Sequence, residues 1–450
     1  MSEFARYLVM ISELKTVLKA YRGLSKAWIS SEKNTEEYLA SVCFFENMTY
    51  RLYESDKSDP LIGLRMAVRL WRRLGKTTKS GVVPVNEDGK IVIVGGLLRT
   101  SELIIRYIQG NSPEKVHSYI AKDFITTPPG LRFRIFITML PFILRQTWRC
   151  LYSNNRVNLA LAIHEVFEIA FILDYFRSNN LKELYDWIPY EKDSNLLSLL
   201  AQKQGIIVTK LPSSGPLVTH NRFMLSQQVV LTTPYQFEEL AKYKDTITAS
   251  KILRWPPQGA MDHGDHYKEK RKTTPHTIGF FSHGSWIRKQ EKHAEHGRNV
   301  LDAERSILFF LGKFVEENPD FKILIFPHPR EKKKEILNET KSFYAQCIGH
   351  DRFEILPPEL STADNFDKAD IGLGAFSSIL YERMYCGFKV LIGNIGFSDF
   401  PMTSSKLNQI CFDEYDEMKQ LLLHFADLSS EQFFEETGLK GYSQEYKETA

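Results

Sequence analysis

A histidine held between two prolines, in Phe326-Pro327-His328-Pro329, follows a short apolar run. The flanking prolines constrain the backbone and give the imidazole a defined direction. Its charge or its ring N–H suits contact with a departing phosphate, although a lone histidine also serves as an ordinary structural residue. Further along, Ser377-Ser378 opens a helical stretch. There the hydroxyls and the first-turn N–H groups, together with the helix dipole, can bind a phosphate oxygen; a plain serine N-cap is the other reading. Glu382 lies one turn beyond Ser378 on the same helical face, where a carboxylate can accept hydrogen bonds from ribose hydroxyls. A fourth feature is the small, polar end of Thr277–Ser285, in which Ser282, Gly284 and Ser285 would let backbone N–H groups approach a phosphate.

These residues need a sheet behind them. Thr277 to Phe281, Phe321 to Phe326, Phe353 to Pro357 and Ala369 to Gly374 read as strands, with a helix from about Ala303 to Glu317 stopped at Asn318-Pro319-Asp320. Ala375 to Val390 reads strand, turn, helix, turn, strand, and Gly387 ends its helix. Strands alternating with helices imply a mostly parallel sheet, whose ligand sites lie at the strand C-terminal ends.

The first half shows the same alternation more faintly. Residues 1–80 read as a helical N-terminal region, its basic end at Arg69, Arg72, Arg73 and Lys76 being a solvated face or a membrane or acceptor contact. An α/β domain spans 81–258, with strands at Lys90–Gly96, Leu184–Ile188 and Gly205–Thr209 and helices at Asn158–Tyr175 and Leu196–Lys203. From about Leu253, through Trp255-Pro256-Pro257 and on to Pro275, the chain turns polar and loop-like; the linker covers 259–276, the second α/β domain 277–425, and a C-terminal helix or tail 426–450. In the linker, His263 and His266 suggest a metal or, with no third ligand in view, a surface loop. Between 131 and 149, arginines alternate with bulky apolar residues. The segment reads either as a helix lying in the headgroup region of an anionic membrane or as a packing helix whose arginines reach the surface.

Composition narrows the class. With 450 residues, 43% hydrophobic and 25% charged, the chain has the balance of a soluble globular protein of two or three domains. Its 58 basic and 55 acidic residues, a formal +3, give no global case for a nucleic-acid partner. The five cysteines are widely scattered, which argues against a zinc site or a disulfide framework and suits a reducing cytoplasm. The N-terminus lacks the order of a signal peptide, and the longest apolar run, Ile135 to Leu144, is too short to span a bilayer. A cytoplasmic protein is therefore expected, in contact at most with the inner membrane face.

The His328-Pro329, Ser377-Ser378 and Glu382–Gly387 series resembles the C-terminal domain of GT-B-fold glycosyltransferases. More narrowly, it is similar to the bacterial sialyltransferase, polysialyltransferase and CDP-glycerol transferase group, which carries an HP motif and an SS or ST motif. The resemblance covers about a third of the chain and implies an α/β fold of two Rossmann-like domains facing a cleft. It also implies inverting, metal-independent sugar transfer without a cofactor. His328 would act as acid or phosphate contact, Ser377 and Ser378 would hold the phosphate, and Glu382 would meet the ribose. A CMP-activated nonulosonic acid is the favoured donor, UDP-sugars remaining open, and a bacterial surface glycan or glycolipid is the acceptor. Arg288, Lys289 and Arg330 are candidate partners for a donor carboxylate. The group's acidic base sits in an acidic-acidic-Gly motif, where this chain has Tyr185-Asp186-Trp187 and Pro189-Tyr190-Glu191-Lys192-Asp193. Glu191 is the first choice, followed by Asp193 and Asp186, each also readable as a helix N-terminal charge. The alternatives are a CDP-polyol phosphotransferase and a non-catalytic nucleotide-binding subunit of a polysaccharide assembly complex.

Overall fold

A computed structural model describes residues 91–94, 117–120, 129–152, 182–186, 194–212, 224–242, 247–257, 259–263, 267, 273–288, 295–375, 377–396 and 406–444, with isolated positions at 12, 15, 19, 104, 107 and 108. The chain divides into two compact units: 1–212, 217–231 and 240–254 form the first, and 213–216, 232–239 and 255–450 the second. The expected helices over 1–80 and at Asn158–Tyr175 fall largely or wholly outside the described residues.

The first unit holds a parallel sheet of β1 (Ile91–Val94), β2 (His117–Ile120), β3 (Glu183–Asp186), β4 (Ile207–Lys210), β6 (Gln228–Leu231) and β8 (Lys251–Arg254). Its order is β2-β1-β3-β4-β6-β8, and a separate parallel pair joins β5 (Met224–Leu225) to β7 (Ile247–Thr248). Helices α1 (Pro129–Tyr152) and α2 (Ser194–Lys203) belong to this unit, whereas most of α3 (Pro234–Lys242) belongs to the second. α2 is buried all round from Leu197 to Ala201 and packs beside β4. β3, β4 and β6 are buried nearly throughout, as strands covered on both faces are, whereas edge strand β8 is mostly exposed. That exposure explains why Leu253 and Arg254 read as the start of a loop: β8 has no apolar run.

The second unit repeats the plan with β9 (Thr277–Phe281), β10 (Lys322–Phe326), β11 (Phe353–Ile355), β12 (Ile371–Gly374), β13 (Lys389–Gly393) and β14 (Cys411–Phe412). All pairings are parallel, in the order β11-β10-β9-β12-β13-β14. Its helices are α4 (Ala260–His263), α5 (Ser285–Arg288), α6 (Glu295–Glu317), α7 (Leu337–Ile348), α8 (Ser378–Tyr385), α9 (Tyr415–Ala426) and α10 (Ser430–Glu436). The fold is thus α/β, with two Rossmann-like units. The segment read as a polar linker supplies core to the second: Tyr267 is fully buried, donates its hydroxyl to the Ala363 carbonyl and accepts the Phe366 N–H.

One side chain ties α8 to this sheet. Arg383, fully buried, donates to the carbonyls of Lys389 (3.1 Å), Phe366 (2.5 Å), Ala369 (2.8 Å) and Asp370 (3.0 Å). The rings of Phe281, Phe366 and Phe388 pack around its guanidinium, whose carbon lies 4.8–5.8 Å from their centroids. Gly372 makes room, since a Cβ there would lie 2.5 Å from Arg383 Nε. Burial pulls the guanidinium pKa down to about 9, opposed by the charge of Asp370, so the group stays protonated at neutral pH. Arg383→Ala strands four carbonyls and opens a void, and should cost about 3–5 kcal/mol in denaturant unfolding. A loss below about 1 kcal/mol would show that the carbonyls find other donors.

Candidate functional site

In the second sheet the chain starts at β9, steps outward through β10 to β11, then returns to β12 on the other side of β9. This 3-2-1-4-5-6 order places the reversal between β9 and β12, and such sheets bind ligands beyond the strand C-termini at that point. The loop after β9 carries Ser282 to Ser285, the loop after β12 leads to Ser377, and His328 follows β10, the other neighbour of β9. Strand spacing puts the ends of β10 and β12 about 10 Å apart. The chain therefore gathers three of its candidate segments along one sheet edge.

His328 is held by a tight turn. The Glu331 N–H donates to the His328 carbonyl at 2.8 Å, with Pro329 in the turn's second position, which proline's fixed φ favours. The Glu331 side chain returns to accept the His328 N–H at 2.7 Å. Glu331 is fully buried and also accepts Trp286 Nε1 at 2.5 Å and the Tyr344 hydroxyl at 3.0 Å. Burial raises its pKa, offset by those donors and by the Ser282 hydroxyl. The Arg330 N–H donates to His328 Nδ1 at 3.2 Å. Nδ1 must then carry a lone pair, so in the neutral imidazole the proton sits on Nε2, which becomes the ring's donor. Gly284, at φ +67°, lies against this ring; a Cβ there would come within 2.9 Å of it. Glycine is required both for the backbone conformation and for the close approach.

The loop itself is turned inward. Glu304, buried on α6, accepts the His283 N–H at 2.5 Å, the Ser285 N–H at 3.3 Å and both the Ser282 and Ser285 hydroxyls. The Gly284 N–H donates to Ser282 Oγ at 2.9 Å. Of the donors read from sequence as phosphate contacts, the Ser282 and Ser285 hydroxyls and the Ser285 N–H go to Glu304, the Gly284 N–H to Ser282 Oγ and the Ser282 N–H to the Phe326 carbonyl. Their visible contribution is to shape the wall beside His328.

At α8, Ser377 occupies the N-cap position with extended backbone (φ −145°, ψ 134°), yet its side chain makes no capping hydrogen bond. Ser378 is exposed. The plain-cap reading therefore does not describe Ser377. Glu382, one turn on, is half-buried and meets the backbone of Gly259: a Cβ on Gly259 would lie 2.1 Å from the carboxylate, which accepts the Gly259 N–H. Burial at its carboxyl end pushes the pKa of Glu382 up to about 7, against the lowering effect of that N–H.

The remaining candidates divide. Arg330 is exposed beside His328, and Arg288 ends α5. Asp186, at the end of β3, is buried and paired with the fully buried Lys210 at 2.8 Å, which commits it to an internal ion pair. Glu191, Asp193, Lys289 and His266 lie outside the described residues, as do the side chains of Arg288 and His263. Glu191 and Asp193 belong to the segment that leaves β3, one of the two strands at the reversal of the first sheet, where β1 lies between β2 and β3.

Glu331, Glu304 and Gly259 were absent from the sequence-based set. Two of them left a trace. Glu304 interrupts the apolar stripe of α6 between Leu301 and Leu308, and Glu331 closes a turn opened by Pro329.

No family model matches the chain, and no curated protein does. Solved structures do resemble it. A UDP-GlcNAc 2-epimerase from Neisseria meningitidis, bound to UDP-GlcNAc, has 12% identity and TM-score 0.48 over 79% of this chain and 96% of that one. Acinetobacter baumannii MurG has 13% identity and TM-score 0.41 over 78% and 94%. A mutant of the Thermobaculum terrenum O-GlcNAc transferase has 12% identity and TM-score 0.38 over 95% and 78%. At 12–13% identity these are likenesses of fold alone.

The raised pKa of Glu382 predicts a pH effect. The folded state holds the proton more tightly than an unfolded carboxyl of ordinary pKa 4.5 does. The stabilisation is complete below that value and is lost as pH rises to about 7. Glu382→Gln removes this dependence, so the melting temperature of the variant relative to wild type should climb between about pH 5 and about pH 7.5. A constant difference across that range would mean that Glu382 titrates normally.

Proposed function

We propose that the second unit binds the nucleotide phosphate of an activated sugar, and that the chain transfers the sugar with inversion and without a metal ion. The observation that carries this reading is the uncapped start of α8 at the sheet's reversal, with His328, its ring oriented by the Arg330 N–H on Nδ1, two strands away. A phosphate oxygen there receives first-turn N–H groups, the Ser377 and Ser378 hydroxyls and the positive end of the helix dipole. Glu382 accepts a ribose hydroxyl one turn along.

In the transfer step a carboxylate takes the acceptor hydroxyl proton while that oxygen forms its bond to the anomeric carbon. We assign this base to Glu191, with Asp193 as its alternate; Asp186 drops behind both because Lys210 already engages it. The bond from the anomeric carbon to the phosphate oxygen breaks, and its electron pair leaves with the nucleotide. His328 and the start of α8 stabilise the charge that develops on that oxygen. Arg330, exposed beside His328, is the described candidate for a donor carboxylate. The pairing of the His328-Pro329 and Ser377-Ser378 motifs favours a CMP-activated nonulosonic acid as donor and a bacterial surface glycan or glycolipid as acceptor.

Thermal unfolding with CMP, CDP and UDP tests the nucleotide. CMP should stabilise the protein most, and the Ser377→Ala/Ser378→Ala variant should lose that response. If none of the three stabilises the chain, the site assignment fails. With CMP-sialic acid, His328→Ala should release CMP about 10²–10³ times more slowly at nearly unchanged stability, and His328→Gln, which keeps a donor, should fall between. Equal rates would remove His328 from the chemistry. Consumption of CDP-glycerol instead of any nucleotide sugar would identify a polyol-phosphate transferase. Nucleotide binding with no turnover of any donor would indicate a non-catalytic subunit.

A further inference from the structure

Helix α1 has two faces of different character. Met139, Ile143 and Gln146 are buried and hold one face to the protein. Opposite them Phe133, Ile137, Leu144, Trp148 and Tyr152 stand 48–74% exposed. At 3.6 residues per turn these five side chains fall within an arc of about 100°, which makes them one stripe. Exposed Pro141 lies within the same arc. Large apolar residues scattered singly over a surface need no explanation, but a continuous stripe rich in aromatic side chains does.

The charges beside the stripe indicate what covers it. Arg134, Arg145 and Arg149 are exposed and lie along one border of the stripe, within about 60° of one another by the same helical spacing. The 24-residue helix contains no aspartate or glutamate. A protein partner would have to place an acceptor opposite each arginine separately, whereas an anionic lipid surface supplies phosphates along the whole border at once. Trp148 and Tyr152, with ring centroids 5.2 Å apart at the C-terminal end, belong to the residue types that settle at the boundary between headgroups and acyl chains. No helix among the described residues is long and apolar enough to cross a membrane. With its other face fixed to the protein, α1 is suited to lie in the surface of a bilayer.

We propose that α1 is a membrane-docking helix. It seats Phe133, Ile137, Leu144, Trp148 and Tyr152 among the upper acyl chains of an anionic bilayer, with Arg134, Arg145 and Arg149 on lipid phosphates. This inference is independent of the nucleotide site: it rests on the first unit alone and would hold whichever donor the second unit takes.

The experiment is flotation of the full chain with phosphatidylcholine vesicles containing increasing phosphatidylglycerol, read together with quenching of tryptophan fluorescence by brominated acyl chains. Wild type should float in proportion to the anionic fraction, less at high salt, and should be quenched. Replacing Arg134, Arg145 and Arg149 by Gln should weaken partitioning about fivefold per arginine. Ile137→Ser/Leu144→Ser/Trp148→Ser should abolish it and the added quenching, while far-ultraviolet circular dichroism and the cooperative thermal unfolding of the same samples report that each variant remains folded. Failure of the wild type to float, or equal flotation of all three proteins, would overturn the proposal. So would concentration-dependent dimerisation that the apolar substitutions abolish without any vesicle binding, since the stripe would then be a contact between copies of the chain.

Discussion

The second unit depends on a cation placed where no water can reach it. Arg383 gathers the carbonyls that precede β12, the one that closes the 363–368 turn and the one that begins β13. These are backbone groups at the N-terminal edge of a parallel sheet, and burying them without donors would be costly. One guanidinium satisfies four of them because its donors fan out in a plane. Just beside it, buried Lys389 bridges Asp370 and the Phe425 and Leu428 carbonyls, joining the same edge to the end of α9. The residue that anchors the end of α8 thus also fixes where α8 begins, at the opposite edge, where Ser377 and Ser378 stand.

The C-terminal edge of the sheet uses the reverse arrangement. There two carboxylates, Glu304 and Glu331, collect N–H and O–H donors from the loops after β9 and β10. Each loop is held from beneath by an acid instead of by its own turn alone, and Gly284 lets the two loops meet at the His328 ring. Cation at one end of the strands and anions at the other leave the backbone little freedom at either, as is needed where a side chain must be aimed.

How much of this could be read from sequence follows from the range of the interactions. β12, α8 and β13 were legible because local signals agree: an apolar run ending in Gly374, serines before helical spacing, and Gly387, which adopts φ +87° where the helix stops. His328 was legible through its prolines. β8 was missed because an edge strand needs no apolar run, and the prolines after it look like a loop. Glu331 sits in the charged string Arg330 to Lys334 and looks like a surface acid, while its partners Trp286 and Tyr344 are distant in sequence. The same blindness applied to the loop after β9. Small residues there suggested free amides, and nothing local reveals that the Ser285 N–H goes to Glu304 and the Ser282 N–H to the Phe326 carbonyl. Gly259 was hidden for a different reason: a glycine in a polar stretch gives no hint of the carboxylate that needs its missing side chain.

Ser377 is the residue type that helices favour at their start, in the right backbone conformation, with the bond it usually makes left unmade. A capping bond of this kind is worth about 1 kcal/mol, so the start of α8 forgoes a stabilisation that its own sequence could provide. A bound anion would restore it, and the serine would then answer to the ligand and to its own helix alike. Selection for a sturdier resting protein and selection for tighter binding therefore pull in opposite directions at this position. Were the proposed phosphate site to hold, a residue that caps itself would leave the fold intact and lose the ligand.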